Sequence, residues 1–360
     1  MKGSVFFMQS DITAIDKNFL IGSEITRTDV AWRNALCAPF SIHGLAVAEE
    51  GKFWRLPEYL IDNISPGVSS LARHTAGGHI RFRTDSPFVA YRSKSFGGGL
   101  MSHMPLTGSS GADIFVNGVS LTTFRPNNPR TVWFEGIVNL RGKGMKDIEI
   151  NLGLYNGVHE IWIGVQEGAT IEAPRPYTVE KPIVYYGSSI TQGGCASKPG
   201  NSYQGFLSRW LDADQINLGF SGNAKGEPAM AEYIASLDMS VFVLDYDHNA
   251  PNVEHLENTY YPFYRIIRDA QPDLPIIMVT RPSGDNDPDD AARRRDVIYS
   301  AYNRARKDGE KVWFVDGAAL WGGRDRDACT MDGYHPNDLG FYRMAEGILP
   351  AIKEALASIK

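Results

Sequence analysis

The chain's 360 residues exceed what one hydrophobic core usually serves, and its 43% apolar content is ordinary for a globular protein, so two domains are expected. A formal charge of −6 without a basic block argues against nucleic acid and anionic membrane surfaces as partners, and points to a small neutral ligand. The opening MKGSVFFMQSDITAIDKN lacks a long apolar core with a cleavage site, and no run approaches the roughly 18 apolar residues of a membrane span, so a soluble, cytoplasmic protein is expected.

Residues 1 to about 75 are rich in aromatics and show no clean period, and they suggest no regular element. From about His79 to Val165 the pattern has period two. HIRFRTD places Ile80 and Phe82 on one face, and DIEINL does the same with Ile148, Ile150 and Leu152, as half-buried strands do. IFVNGVSL holds Asn117-Gly118 between strand-forming runs, the pair best able to take the positive φ angles of a tight hairpin. An antiparallel β-sandwich follows.

Between Gly168 and Pro182, GATIEAPRPYTVEKP carries three prolines, which deny the backbone ladder and helix hydrogen bonds and mark a stiff connection. Beyond it, PIVYY, QINLGF, VFVLDY, PIIMVT and KVWFVD are almost continuously apolar, as strands buried on both faces are. Helical spacing separates them: Leu256, Tyr260, Phe263, Tyr264 and Ile267, where Pro262 is expected to start or kink the helix, and Phe341, Met344, Ala345, Ile348 and Ile352 near the end. The expected fold is α/β: a three-layer α/β/α domain with a five-stranded parallel sheet over residues 182–360. A jelly-roll-like antiparallel sandwich over 1–170 and a Pro-rich linker over 171–181 precede it.

Ligands of such sheets sit beyond the carboxyl ends of the strands, and the first strand ends in VYYGSSITQGG. This is neither a Walker loop nor a dinucleotide loop, because the glycine spacing is wrong and no Lys follows. The next helix is expected only near Asn201-Ser202. A serine nucleophile needs a base, an orienting carboxylate and oxyanion donors. MDGYHPN offers His335 as base with Asp332 three residues before it, and Asn337 or Asp338 to cap the helix that follows. Gly222 in NLGFSGNAKG and Asn249 in LDYDHNAPN lie at the ends of the second and third strands, where oxyanion donors belong. His103, His159, His248 and His255 show no partner pattern and read as ordinary polar residues. Cys37, Cys195 and Cys329 are odd in number and widely spaced, which suggests reduced thiols and neither a disulfide framework nor a zinc pattern; Cys195 beside the loop reads as packing more than as nucleophile.

The order serine, glycine, asparagine, then Asp-x-x-His resembles the SGNH, or GDSL, hydrolase family, over roughly residues 182–360. The resemblance implies Ser189 as nucleophile, Ser189, Gly222 and Asn249 as the oxyanion hole, and Asp332 with His335 completing a triad, without metal or other cofactor. Two departures stand out: Ser188 replaces the family's Asp in Gly-Asp-Ser, and Asp247-His248-Asn249-Ala250 replaces Gly-x-Asn-Asp. GADIFVNG resembles the GxDLY segment of the N-terminal sandwich that precedes some of these hydrolases. The expected activity is hydrolysis of a small acyl ester; the resemblance fixes no substrate, and the 11% aromatic content, which can provide faces for sugar rings, favours an O-acetyl group on a carbohydrate. The alternatives are an acyltransferase to a small-molecule alcohol, a lipid or other short-chain acylhydrolase, and a sugar-binding module with a retired site. Oligomer formation stays open.

Overall fold

The structure, a computed structural model, describes residues 15–16, 25–97, 101–283 and 285–359. The sandwich is built from β1 (Val30–Asn34), β2 (Ser41–His43), β5 (His79–Thr84), β6 (Phe88–Ser95), β7 (Ala112–Val116), β8 (Val119–Phe124), β9 (Trp133–Asn139), β10 (Lys146–Asn151), β11 (Val158–Gln166) and β12 (Ile171–Glu172). One sheet runs β1-β11-β6-β9, the other β12-β5-β10-β7-β8 with β2 also on β5, and β3 (Val47–Glu49) pairs with β4 (Lys52–Trp54) apart from both. Alternation puts Ile80, Phe82, Ile114, Ile148 and Ile150 of one sheet against Val89, Tyr91, Ile161 and Ile163 of the other. The β7–β8 hairpin turns at Asn117 and Gly118, with φ of 50° and 77°.

Of the first 75 residues, 1–14 and 17–24 lie outside the described residues, and the described part is less formless than its sequence suggests. β1 to β4 are three to five residues long, too short to display a period, and α1 (Glu58–Ile61) and α2 (Pro66–Ala72) follow. Leu60, Ile61, Val68 and Ala72 bury themselves in the same core as Val184 and Leu218 of the parallel sheet. This helical piece therefore packs on the second half of the chain, although it lies within the first. A further short helix, α3 (Leu106–Ser109), precedes β7.

The five parallel strands are β13 (Val179–Gly187), β14 (Ala213–Gly219), β15 (Val241–Asp245), β16 (Ile276–Val279) and β17 (Val312–Val315), in the order β14-β13-β15-β16-β17. Val184 and Tyr186 of β13 point into one helical layer, with α6 (Pro228–Ala235), α7 (Val253–Ala270) and α8 (Pro288–Lys307). Ile183 and Tyr185 point into the other, with α5 (Tyr203–Leu211), the short α9 (Gly317–Leu320) and α10 (Asp338–Ala357). Pro262 neither starts nor ends α7, which runs through it from an Asn252 cap. The helical stripe Leu256, Tyr260, Phe263, Tyr264 and Ile267, all buried, outweighs one lost backbone bond. Among the described residues, no helix is long and apolar enough to cross a membrane.

Because β14 lies on one side of β13 and β15 on the other, the chain reverses its direction of winding at β13, and in open sheets of this kind ligands bind beyond the carboxyl end of the strand where that happens.

Candidate active site

β13 ends at Gly187 and a one-turn helix, α4 (Ser189–Gln192), begins at once. The expectation that the next helix waits until Asn201-Ser202 is corrected here: α4 is four residues long, too short to leave a periodic signal, and Gly193 closes it at φ 112°. The crossing is tight. A Cβ on Gly187 would stand 2.1 Å from Thr191 Oγ1 and 2.2 Å from the Asp245 carbonyl oxygen. On Gly219, at the end of β14, it would meet the Gln192 nitrogen at 2.1 Å. Glycine at both positions lets α4 sit directly on the strand ends.

The adjacent serines have different surroundings. Ser188 is buried, and its Oγ accepts the Ile190 N–H at 3.1 Å as the cap of α4. Ser189 Oγ lies 2.9 Å from His335 Nε2. His335 Nδ1 lies 2.7 Å from Asp332 Oδ2, and Asp332 Oδ1 accepts the backbone N–H groups of Tyr334 and His335 at 3.0 and 2.8 Å. Partial burial opposes charge on Asp332. The His335 backbone N–H, the imidazole and the Tyr334 N–H outweigh it and hold the carboxyl at about 2. Asp332 is thus an anion throughout the neutral range, and an acceptor-only carboxylate beside Nδ1 favours the imidazole tautomer with its hydrogen there, which leaves Nε2 free to accept from Ser189.

Two ties fix the loop that carries His335 against the loop that carries Ser189. The Cys195 N–H donates to the Pro336 carbonyl at 2.7 Å. Asp338, the first residue of α10, accepts from the Ser197 N–H at 2.8 Å and from Asn201 Nδ2 at 2.9 Å, while Asn337 caps that helix. Burial, with the charge of Asp332 adding to it, pushes the Cys195 thiol up to about 12, so its role here is backbone and packing.

Gly222 and Asn249 stand in the loops after β14 and β15, the strands that flank β13. Gly222 is exposed, has φ of 68° and has open space where a side chain would be. Asn249 Nδ2 donates to the Phe220 carbonyl at 2.8 Å, joining the two loops. The Ser221 N–H donates to Gln192 Oε1 at 3.0 Å, which joins the first of them to α4. From the opposite side, Arg55 donates to the carbonyls of Asn217 and Gly219 at 3.2 and 2.5 Å and lies over the Phe220 ring.

Two histidines read as ordinary from sequence stand at this site. The His248 ring lies 6.0 Å from that of Tyr334, and its Nε2 pairs with Ser283 Oγ at 2.9 Å. Burial, then the nearby Arg281 and His335, lowers it to about 3, so it is neutral. His103, brought from the first half of the chain, has its ring 5.9 Å from that of His335. No spacing signal marks either one, since each meets its neighbours only after folding; the position of His248 beside Asn249 is the one hint. Sandwich residues also reach α4: the Tyr155 hydroxyl donates to the Ser189 carbonyl at 3.2 Å, and Gln192 Nε2 to the Leu154 carbonyl at 3.0 Å.

Residues 180–353 match the model of the GDSL-like lipase/acylhydrolase family, and residues 30–171 match the N-terminal model of SGNH-hydrolase-type esterases, called GxDLY. A GDSL-like lipase from Bacteroides ovatus ATCC 8483 superposes with a TM-score of 0.81 at 30% identity, over 91% of this chain and 98% of that one. The chain belongs to the GDSL-like lipase/acylhydrolase family. By class this GDSL-family protein is a carboxylic ester hydrolase. The salicylyl-acyltransferase SsfX3 from a tetracycline biosynthetic pathway shares its fold, with a TM-score of 0.75 at 23% identity over 92% of this chain and 98% of that one. So does a family two carbohydrate esterase from Clostridium thermocellum, with a TM-score of 0.59 at 16% identity over 79% and 94%. A search of curated proteins finds no match.

The GxDLY stretch, Gly111 to Phe115 here, has a physical role. Asp113 accepts the Gly200 N–H at 2.9 Å, tying β7 to the turn before α5.

Proposed function

We propose that the protein is a serine esterase that removes a small acyl group, preferably acetyl, from a carbohydrate hydroxyl, with Ser189, His335 and Asp332 as its triad. The observation that carries this reading is the unbroken chain from Ser189 Oγ to His335 Nε2 at 2.9 Å and from His335 Nδ1 to Asp332 at 2.7 Å. Ser189 Oγ attacks the ester carbonyl carbon as His335 Nε2 takes its proton. The N–H groups of Ser189 and Gly222 and the Asn249 side-chain amide receive the oxyanion. Ser189 suits this role because backbone donors in a first helical turn have no acceptor within the helix. Collapse of the adduct expels the alcohol, which takes the proton from His335. Water then gives a proton to His335 and attacks the acyl carbon, and the acid leaves as Ser189 recovers its hydrogen.

The sugar preference draws support from Tyr334, next to His335 in the chain and exposed, whose ring can offer a flat apolar face to a sugar. It is in keeping with the carbohydrate esterase among the fold neighbours. The acyltransferase in that company motivates the second reading, transfer to another alcohol. Release of p-nitrophenol from p-nitrophenyl acetate, followed by a panel of acetylated oligosaccharides against esters of longer acids, tests the first. Fast turnover of the acetylated sugars is expected. Slow hydrolysis accelerated by an added alcohol, with ester of that alcohol formed, would establish transfer in its place.

A further inference from the structure

A second constellation of chemically capable side chains lies away from Ser189, where the sandwich meets the start of β14. His43 and His79 are directly opposite one another in the β2–β5 pair. Their rings stack at 5.2 Å with 12° between planes, and both face Asp214, the second residue of β14. One ring nitrogen of each histidine and a carboxylate oxygen of Asp214 all fall within 4.8 Å of one another. We propose that His43, His79 and Asp214 bind a divalent cation of the zinc class, as a structural clamp between the two halves of the chain.

The distances suit such an ion. Tetrahedral zinc holds nitrogen and oxygen ligands at about 2.0–2.1 Å, which spaces them about 3.3 Å apart. His79 Nε2 and Asp214 Oδ1 are separated by 3.6 Å. His43 Nδ1 and Asp214 Oδ2 are closer, at 2.8 Å, because a hydrogen lies between them, and the ion would take that hydrogen's place.

The remaining polar atoms are arranged as a metal site requires. The other nitrogen of each imidazole is held by an oxygen: His43 Nε2 by Ser41 Oγ at 2.8 Å, and His79 Nδ1 by the Gly77 carbonyl at 2.9 Å. Such outer hydrogen bonds fix the ring and the tautomer of a ligating histidine. Asp214 Oδ1 is steadied by the Gln215 N–H at 2.7 Å. The Tyr177 hydroxyl, 2.7 Å from His79 Nε2, stands where a fourth ligand or its water would be. A cavity of about 380 Å³ lined by His43, Tyr177 and Asp214 provides the way in. All three ligands belong to strands, so little order is lost on binding. His103, Asp332 and His335 form a second group within the same 4.8 Å, but there the imidazole and carboxylate already serve Ser189.

Calorimetric titration of the chelator-treated full chain with zinc chloride tests the proposal, with thermal melts in parallel. One equivalent should bind, and Tm should rise by several degrees at saturating zinc. His79→Gln and Asp214→Asn should each weaken binding at least tenfold while keeping the wild-type circular dichroism, and His103→Gln should leave it unchanged. Absence of saturable binding in the wild type overturns the proposal. So does affinity lost in His103→Gln and kept in His79→Gln. So would ester hydrolysis that survives Ser189→Ala and disappears on adding Ser41→Ala, because Ser41, His43 and Asp214 would then be a second hydrolytic relay.

Discussion

Ser188 and Ser189 are neighbours with the same side chain, and what separates them is the atom each hydroxyl meets. Ser188 faces a backbone N–H that would otherwise be unsatisfied, and Ser189 faces an imidazole. Ser189→Ala should therefore lower kcat for p-nitrophenyl acetate by on the order of 10⁴ or more. Ser188→Ala should lose only a cap, about 0.5–2 kcal/mol in a denaturant titration, and keep kcat within tenfold. Asp332→Asn should cost about 10⁴ in kcat with KM nearly unchanged, since an amide can donate to Nδ1 and so put the imidazole hydrogen on Nε2, the wrong nitrogen. At this scale the sequence was legible where the chemistry is local: Asp332 and His335 share one seven-residue stretch. Neither His103 nor His248 could be found, since their proximity to His335 and Tyr334 exists only across elements.

Among the elements, the strands of the parallel sheet were the most readable, because burial on both faces demands short continuous apolar runs. Short elements escaped notice. α4 has four residues and β2 three, so each spans barely one period and gives a pattern no room to recur, and both carry side chains of consequence. α4 also explains a strict demand at its root. Gly187→Ala would drive a methyl into Thr191 and the Asp245 carbonyl, and it should destabilise the fold by about 1–3 kcal/mol, read from the denaturant midpoint, with loss of activity.

The β7–α5 connection makes a different prediction. Burial raises the Asp113 carboxyl to about 6, against hydrogen bonding from the Gly200 N–H and the charge of Arg209. Folded chains therefore bind a proton at Asp113 that unfolded chains, with an ordinary carboxyl near 4, have already lost. Stability from this group is fully present below about pH 4 and falls as pH rises to about 6. Unfolding titrations at several pH values should show Asp113→Asn lacking that decline. Asp332 works in the opposite direction, contributing above about pH 4 and losing its contribution as pH falls toward 2.

For the whole molecule, the two architectures were foreseeable from the change of period near residue 170, and their interdependence was not. Contacts between halves have no periodic trace in either. Arg55 is the extreme case: wholly buried, lowered to about 9 by desolvation, and bonded to the carbonyls of Leu71, His74, Asn217 and Gly219 with no carboxylate partner among the described residues. A guanidinium with five donors can serve several peptide oxygens at once, and here those oxygens come from both halves.

The Tyr155 hydroxyl resting on the Ser189 carbonyl, with Leu154 against Gly193, has a consequence for anyone who would cut the chain at its proline-rich stretch. A fragment of residues 180–360 keeps every member of the relay yet bares the underside of its own nucleophile turn, along with the apolar seats of Leu60, Ile61 and Val68. Expressed alone, it should aggregate or melt well below the intact protein, and adding residues 1–179 in trans should restore hydrolysis only if the pieces reassociate. A change of grammar along a polypeptide tells where the architecture alters; it does not tell where the molecule comes apart.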